Sequence, residues 1–535
     1  MTATADGVPR EFDTRPERYR HWRLAVDGRV ARLALAVDEA GALQEGVVLK
    51  RNSYDLGVDL ELRDAVQRLR FEHPQVACVV LESALPDVFC AGANIGMLAR
   101  ASHPLKVNFC KLTNETRLEL EAATRAGQRW IAALSGTASG GGYELALACD
   151  RILLVDDRRA AVSLPELPLL AVLPGTGGLT RLVDKRRVRR DLADVFCTLE
   201  EGVRAPRALE WGLVDAIAKP SEFRALVDRE IAAALAAAPA GRPARGVTLP
   251  QLEPAAGARE LRYRHLRVSL DAEQRTAMLE LELPAPELTA ALELARELDD
   301  ALLRLRVHHP ELGLWLFRVR GDAERARRLD RALAANDWLA CEVRELFGRT
   351  FKRLDNSARS GFALVDAGTC WAGSLAELAL ACDRVYMLRG GEAEPRFELG
   401  PLSHGAYPMA NGLSRLETRF FGRPEALARV RAVDGPLEPE RAHELGLVTE
   451  LVDDIDWDDA LRVACEERAS FSPDALTGLE ASLRFPGPET LETKIFARLS
   501  AWQNWIFQRP NAAGPDGALR AYGRPERPKF DWKRT

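Results

Sequence analysis

Trp130-Ile131-Ala132-Ala133-Leu134, running on through Ser135-Gly136-Thr137-Ala138-Ser139-Gly140-Gly141-Gly142-Tyr143-Glu144-Leu145, reads as a buried strand that turns through glycines into a helix. The residues after the turn, Glu144 to Asp150, are strong helix formers. Three consecutive glycines leave the backbone bare, so a ligand can reach main-chain N–H groups without meeting a Cβ. The first turn of a helix has unpaired N–H donors and partial positive charge, which suits an oxyanion. Glu144 sits on that turn, within reach of the same ligand. A tight packing turn, with Glu144 serving only the helix N-terminus, explains this stretch alone equally well.

Working outward, the segments before and after repeat the theme. Upstream, a strand over Val76–Leu81 leads to the loop Phe89-Cys90-Ala91-Gly92-Ala93-Asn94-Ile95-Gly96-Met97, where Asn94 is placed to N-cap a helix and Ala93 to present its N–H near that helix start. Downstream, strands over Ile152–Val155 and Ala161–Leu164 lead to Pro165-Glu166, then to Pro174-Gly175-Thr176-Gly177-Gly178. Arg29–Val37 alternates like a half-buried strand, and Gly46–Lys50 is expected to be another. Helices are expected over Asp59–Phe71, closed by His73-Pro74, and around Leu105–Gln128. Strands alternating with helices predict an α/β fold.

The 535 residues exceed one core, and 47% hydrophobic with 29% charged residues is ordinary for a globular protein. A net charge of −5 gives no reason to expect nucleic acid or a membrane surface as partner. The nine cysteines are scattered without a Cys-x-x-Cys pair, so neither a disulfide framework nor a zinc site is indicated. With no signal-like or spanning apolar run, the cytoplasm is the expected location.

The expected organisation is an N-terminal arm (1–24), a first α/β domain (25–235), an Ala/Pro/Gly-rich linker (236–259), a second domain (260–455) and a C-terminal helical region and tail (456–535). The second domain is expected because Ala376-Glu377-Leu378-Ala379-Leu380-Ala381-Cys382-Asp383-Arg384-Val385 echoes Tyr143 to Ile152, and Arg306 to Pro310 echoes Arg70 to Pro74. This copy is damaged: Ser374 stands for Gly141, and Gly321-Asp322-Ala323-Glu324-Arg325 replaces the Ala91–Asn94 loop. Glu377 and Glu398 remain, with salt bridging their expected role. The aromatic cluster Trp502, Trp505, Ile506 and Phe507 suits core or subunit contact better than a ligand site.

The ordered set Ala91-Gly92-Ala93-Asn94-Ile95, Gly140-Gly141-Gly142-Tyr143-Glu144 and Leu164-Pro165-Glu166 with Pro174 to Gly178 resembles the crotonase (enoyl-CoA hydratase/isomerase) superfamily over roughly residues 25–235. The resemblance implies ββα turns, two crotonase-like units with the second degenerate, and an acyl-CoA thioester whose carbonyl lies in an oxyanion hole. The hole's donors would be the N–H groups of Ala93 and Gly141. Ala91, Gly92, Ala93, Asn94, Ile95, Gly96 and Gly141 would line the CoA, and Glu144 and Glu166 would handle water and protons. CoA belongs to the substrate, and no metal or redox cofactor is implied. The whole chain, including the tail from Trp502-Gln503-Asn504-Trp505 to Asn511, resembles the ring-opening lyases of aerobic aromatic-compound degradation within that superfamily. It implies hydrolytic ring opening of 2,3-epoxybenzoyl-CoA with loss of formate, by a homodimer. An enoyl-CoA hydratase on another thioester and a non-catalytic acyl-CoA-binding protein stay open.

Overall fold

The computed structural model describes residues 2–239, 242–391, 393–525 and 527–535. Residue 1 of the expected arm, 240 and 241 of the expected linker, 392 of the second half and 526 of the tail lie outside the described residues. The chain divides into two compact units, residues 1–251 and 252–535.

In the first unit, β1 (Trp22–Asp27) and β2 (Val30–Leu35) form an antiparallel hairpin, and β2 buries alternate residues as its sequence predicts. Then follow α1 (Leu56–Phe71), β3 (Cys78–Ser83), β4 (Val88–Cys90), α2 (Ile95–Arg100), α3 (His103–Arg125), β5 (Arg129–Leu134), β6 (Thr137–Ser139), α4 (Gly141–Ala148), β7 (Arg151–Val155), β8 (Ala161–Ser163), α5 (Glu166–Leu170), β9 (Val203–Arg204) and β10 (Ala216–Ala218). Successive strands alternate between two sheets. One is six-stranded, β1-β2-β3-β5-β7-β10, parallel from β2 onward; the other is β4-β6-β8-β9, whose first three strands are parallel. The small sheet positions the site, because Ala93, Gly141 and Glu166 each follow the C-terminal end of one of its parallel strands.

Three expectations need correction. Gly46–Lys50 is a loop: Val47 N donates to Gln44 O, Leu49 N donates to Glu39 O, and the chain turns through Arg51 and Asn52, both left-handed at φ 56° and 54°. A five-residue run is too short for its periodicity to define a strand. The missing edge strand is β1, which begins inside the expected arm. The arm is fixed by then, since the N–H groups of Arg20, His21 and Trp22 all donate to the Glu61 carboxylate on α1. The expected linker is occupied at both ends, by the helix Pro220–Ala237 and by a docked segment in which Val247 N donates to Phe71 O and Leu249 N to Glu72 Oε1, each at 2.8 Å.

The second unit contains β11 (Ala255–Ala256), β12 (Glu260–Arg262), β13 (Leu266–Asp271), β14 (Thr276–Glu282), β15 (Leu314–Arg320), β16 (Ser360–Val365), β17 (Trp371–Ala372), β18 (Arg384–Arg389), β19 (Phe397–Glu398) and β20 (Glu450–Asp453). Its large sheet runs β11-β12-β13-β14-β15-β16-β18-β20 and is parallel from β14, the same series as the first sheet plus two edge strands. Its small sheet pairs β17 with β19. One clamp is built in both units. Tyr19 Oη donates to Asp64 (2.5 Å) and Tyr263 Oη to Asp300 (2.7 Å); Glu61 accepts from the Arg20 and His21 amides as Glu297 does from those of Arg264 and His265. The helices Trp457–Ser470, Pro473–Leu483 and Ser500–Phe507 form the C-terminal region, where Trp502 and Trp505 meet edge to face at 5.6 Å and Phe507 is exposed. Among the described residues no helix is long and apolar enough to cross a membrane.

Candidate active site

Parallel strands β4, β6 and β8 end side by side, with Cys90 paired to Ala138 and Ser139 to Ser163. The chain leaving β4 is held by Tyr54, whose N–H donates to Gly92 O and whose carbonyl accepts from Asn94 N, each at 2.8 Å. That pairing skips Ala93, so its N–H faces the other way. Asn94 caps α2 as its sequence predicts, accepting from Met97 N at 2.9 Å, while its amide donates to Val48 O and Ser53 Oγ.

Gly140, at φ 52°, turns the chain leaving β6, and α4 begins at Gly141. The two loops meet at close range. A methyl group placed on Gly141 would lie 3.4 Å from the Ala93 nitrogen, and one on Gly92 would lie 3.0 Å from the Gly141 nitrogen and 2.7 Å from Ser139 O. Side chains at either position would therefore fill the space the two amides border. Neither N–H donates to any group among the described residues. Ala91, Ile95 and Gly96 flank this space, Ala91 and Ile95 with exposed side chains.

Glu144 and Glu166 are both brought to this place but are held differently. Glu144, 2% exposed, is gripped by the loop after α5: Oε1 accepts from Thr176 N (2.9 Å) and Gly178 N (2.8 Å), and Oε2 from Thr176 Oγ1 (2.5 Å). Three of roughly four acceptor positions on a carboxylate are thus taken, leaving one on Oε2. Glu166, half-buried at the start of α5, lies against Gly140, where a methyl group would sit 2.8 Å from its Oε1. Its Oε2 is buried without a hydrogen bond. Burial, and then the nearby Glu144 charge, push the Glu166 carboxyl up to about 7. The loop that follows passes through Ala171 at φ 54°, a left-handed position that favours glycine.

Sequence reasoning missed the grip on Glu144, although Thr176 and Gly178 stand in the glycine loop Pro174 to Gly178. It also missed Cys110 on α3, which approaches that loop at Gly175 and whose thiol is pushed up by burial and by Glu144. Tyr143 and Phe109 are core residues: Tyr143 is fully buried with its hydroxyl on Leu213 O, and Phe109 is 3% exposed. Lys50 is exposed and Arg51 makes a solvated pair with Asp87 at 3.5 Å.

Residues 49–242 match the enoyl-CoA hydratase/isomerase family. The benzoyl-CoA-dihydrodiol lyase of Aromatoleum evansii is 51% identical over 545 residues, covering 98% of each chain. The chain belongs to the benzoyl-CoA-dihydrodiol lyase family. The crotonase-like α/β fold expected from the three loops is therefore the fold of this lyase family member. An enoyl-CoA hydratase/isomerase of Bacillus subtilis (strain 168), YngF, is 35% identical over 176 residues, which are 33% of this chain and 64% of its own. The solved enoyl-CoA hydratase of Geobacillus kaustophilus HTA426 is 33% identical, with a TM-score of 0.36, over 42% of this chain and 76% of that one. The relative that matches this lyase family member over 98% of its length spans both units and the C-terminal helices.

Proposed function

We propose that this enzyme opens the ring of 2,3-epoxybenzoyl-CoA by hydrolysis, giving 3,4-dehydroadipyl-CoA semialdehyde and formate. The observation that carries the reading is the pair of unpartnered amides, Ala93 and Gly141, bordering one space beside two carboxylates of unlike environment. Attack on a ring conjugated to a thioester sends negative charge to the thioester oxygen. Two fixed N–H donors there are each worth about 3 kcal/mol of barrier.

Glu166 holds a proton near neutrality and is free to move it, so it acts as the acid that protonates the epoxide oxygen as the C–O bond breaks. Glu144, fixed by Thr176 and Gly178, offers its remaining lone pair to the attacking water and accepts that water's proton. The diol-level adduct then breaks a C–C bond in a retro-aldol sense, and a second water captures the one-carbon fragment as formate. Two waters in and formate out balance the atoms with no net oxidation, so we assign no redox cofactor, and CoA enters only as part of the substrate. We place the enzyme in the cytoplasm as a homodimer.

The test is to incubate the purified protein with 2,3-epoxybenzoyl-CoA and measure formate. Stoichiometric release, with crotonyl-CoA hydrated far more slowly, supports the reading. Thioester binding without formate, or crotonyl-CoA hydration at an equal rate, would contradict it.

A further inference from the structure

Arg117 lies in the middle of α3 with 1% of its surface exposed, a costly place for a cation unless it is paired. Its pairing is unusual. Nη1 donates to Thr113 O at 2.9 Å and Nη2 to Gly141 O at 3.0 Å, both main-chain carbonyls. The near carboxylate, Asp59 on α1, is 3.9 Å away and fully buried. Its two oxygens already accept from Tyr54 Oη (3.1 Å) and Thr116 Oγ1 (2.7 Å). Of the guanidinium's two hydrogen bonds one stays within α3 and the other goes to the first turn of α4; neither goes to an acid. That turn already carries the positive end of the helix dipole, and Gly141 is its first residue.

The other end of the same network reaches the other loop. Tyr54, whose hydroxyl holds Asp59, also holds Gly92 and Asn94 through its main chain and so sets the direction of the Ala93 N–H. Tyr54 and Arg117, each holding one amide-bearing loop, thus approach the same buried carboxylate, Tyr54 by a hydrogen bond and Arg117 only as an ion pair at 3.9 Å, all within the first unit.

We propose that Arg117 is a positioning residue that fixes Gly141 against Ala93 and adds a permanent positive charge behind the oxyanion hole. The inference rests on the thioester reading above and extends it to a residue outside the cavity. The charge acts on a ligand oxygen through low-dielectric protein, where screening by solvent is weak. Its contribution grows as the oxygen becomes negative, so it favours the transition state over bound substrate.

The experiment uses 4-(dimethylamino)benzoyl-CoA, a push–pull thioester whose long-wavelength band moves red when its carbonyl oxygen is polarised. The wild-type protein is expected to shift the band on binding, and R117M to bind with a clearly smaller shift. D59N keeps the guanidinium and is expected to shift the band at least as far as wild type, which a merely structural network would not do. In turnover, R117M is expected to lose about 10- to 100-fold in kcat with little change in KM, as for an interaction made in the transition state. Should R117M fail to fold, D59N and R117K carry the test, with R117K intermediate between R117M and wild type. A folded R117M with wild-type shift and wild-type kcat, or a D59N that loses the shift, overturns the role of Arg117. A wild-type protein that binds the probe without any shift overturns the oxyanion-hole reading itself, and this proposal with it.

Discussion

The same topological place is built twice in this chain and is open in one unit and closed in the other. After β6 the Gly141 amide is bare, whereas after β17 the corresponding Ser374 amide donates to Asp330 Oδ1 at 2.8 Å and the Ser374 hydroxyl to the same oxygen at 2.6 Å. An internal carboxylate thus sits on the amide where the first unit leaves room for a ligand. The acids differ likewise. Glu166 has a buried oxygen with no hydrogen bond, but Glu398, at the end of β19, is forked by Arg327 at 2.8 and 2.9 Å. Glu377, the counterpart of Glu144, is 1% exposed, pushed up to about 7 by burial, and faces Arg415 at 3.6 Å. Among the described residues the second unit also lacks a strand equivalent to β4, and with it the loop that would supply an Ala93. On the proposed reading a preserved fold and preserved glutamates do not make a site: the donors must be unoccupied, since Glu377, with Oε1 buried and without a hydrogen bond, gives the second unit a raised acid as well.

The comparison breaks most visibly at the acids. Glu166→Gln and Glu144→Gln are each expected to lower formate release by about 10²- to 10⁴-fold, while Glu377→Gln and Glu398→Gln should leave it near wild type. Equal losses from both sets, measured on folded protein, would erase the distinction between the units. Asp330→Ala is the next sharpest. It strands the buried Ser374 N–H and should lower stability by about 1–3 kcal/mol in denaturant melts without altering turnover. A stabilised variant would show that the Asp330 contact is not what closes the second unit.

The smallest expected effect concerns pH. The folded pKa of Glu166 lies near 7, above that of an ordinary glutamate, so ionising it costs stability as pH rises through about 7 and costs nothing where the group is protonated in both folded and unfolded chains. Glu166→Gln should therefore melt higher than wild type at pH 8 and equally at pH 4. In the same window kcat/KM of the wild type should fall as pH rises through about 7, because the acid form is the one needed. A Glu166→Gln melting advantage that is constant across pH would contradict the buried-acid environment.

Much of this site is legible in the amino-acid sequence. Gly140 to Gly142, Ala91 to Asn94 and Leu164 to Glu166 are local signals: each needs only a strand end, a bare or capped helix start and a few residues of chain. What is not legible depends on contacts across the fold. The hold on Glu144 comes from an amide and a hydroxyl 32 residues away at Thr176, and Arg117 reads in sequence as one more charged position on a long helix. The second unit's plug is likewise tertiary, since nothing local marks Asp330 as the partner of Ser374. The repeat, by contrast, is more legible than the echo at Glu144 and Glu377 alone. Arg18-Tyr19-Arg20-His21 and Arg262-Tyr263-Arg264-His265 are identical, and each sets a tyrosine against the helix after its hairpin. The false strand at Gly46–Lys50 shows the opposite error, an apolar run whose backbone partners are turn carbonyls.

A crystal structure of the protein with benzoyl-CoA tests the central claim most directly. The account predicts one thioester per chain, its carbonyl oxygen about 2.7–3.1 Å from both the Ala93 and Gly141 nitrogens, Glu144 and Glu166 facing the ring, and the Ser374 amide still bound to Asp330. A thioester oxygen away from those two amides, or a CoA seated in the second unit, would contradict it.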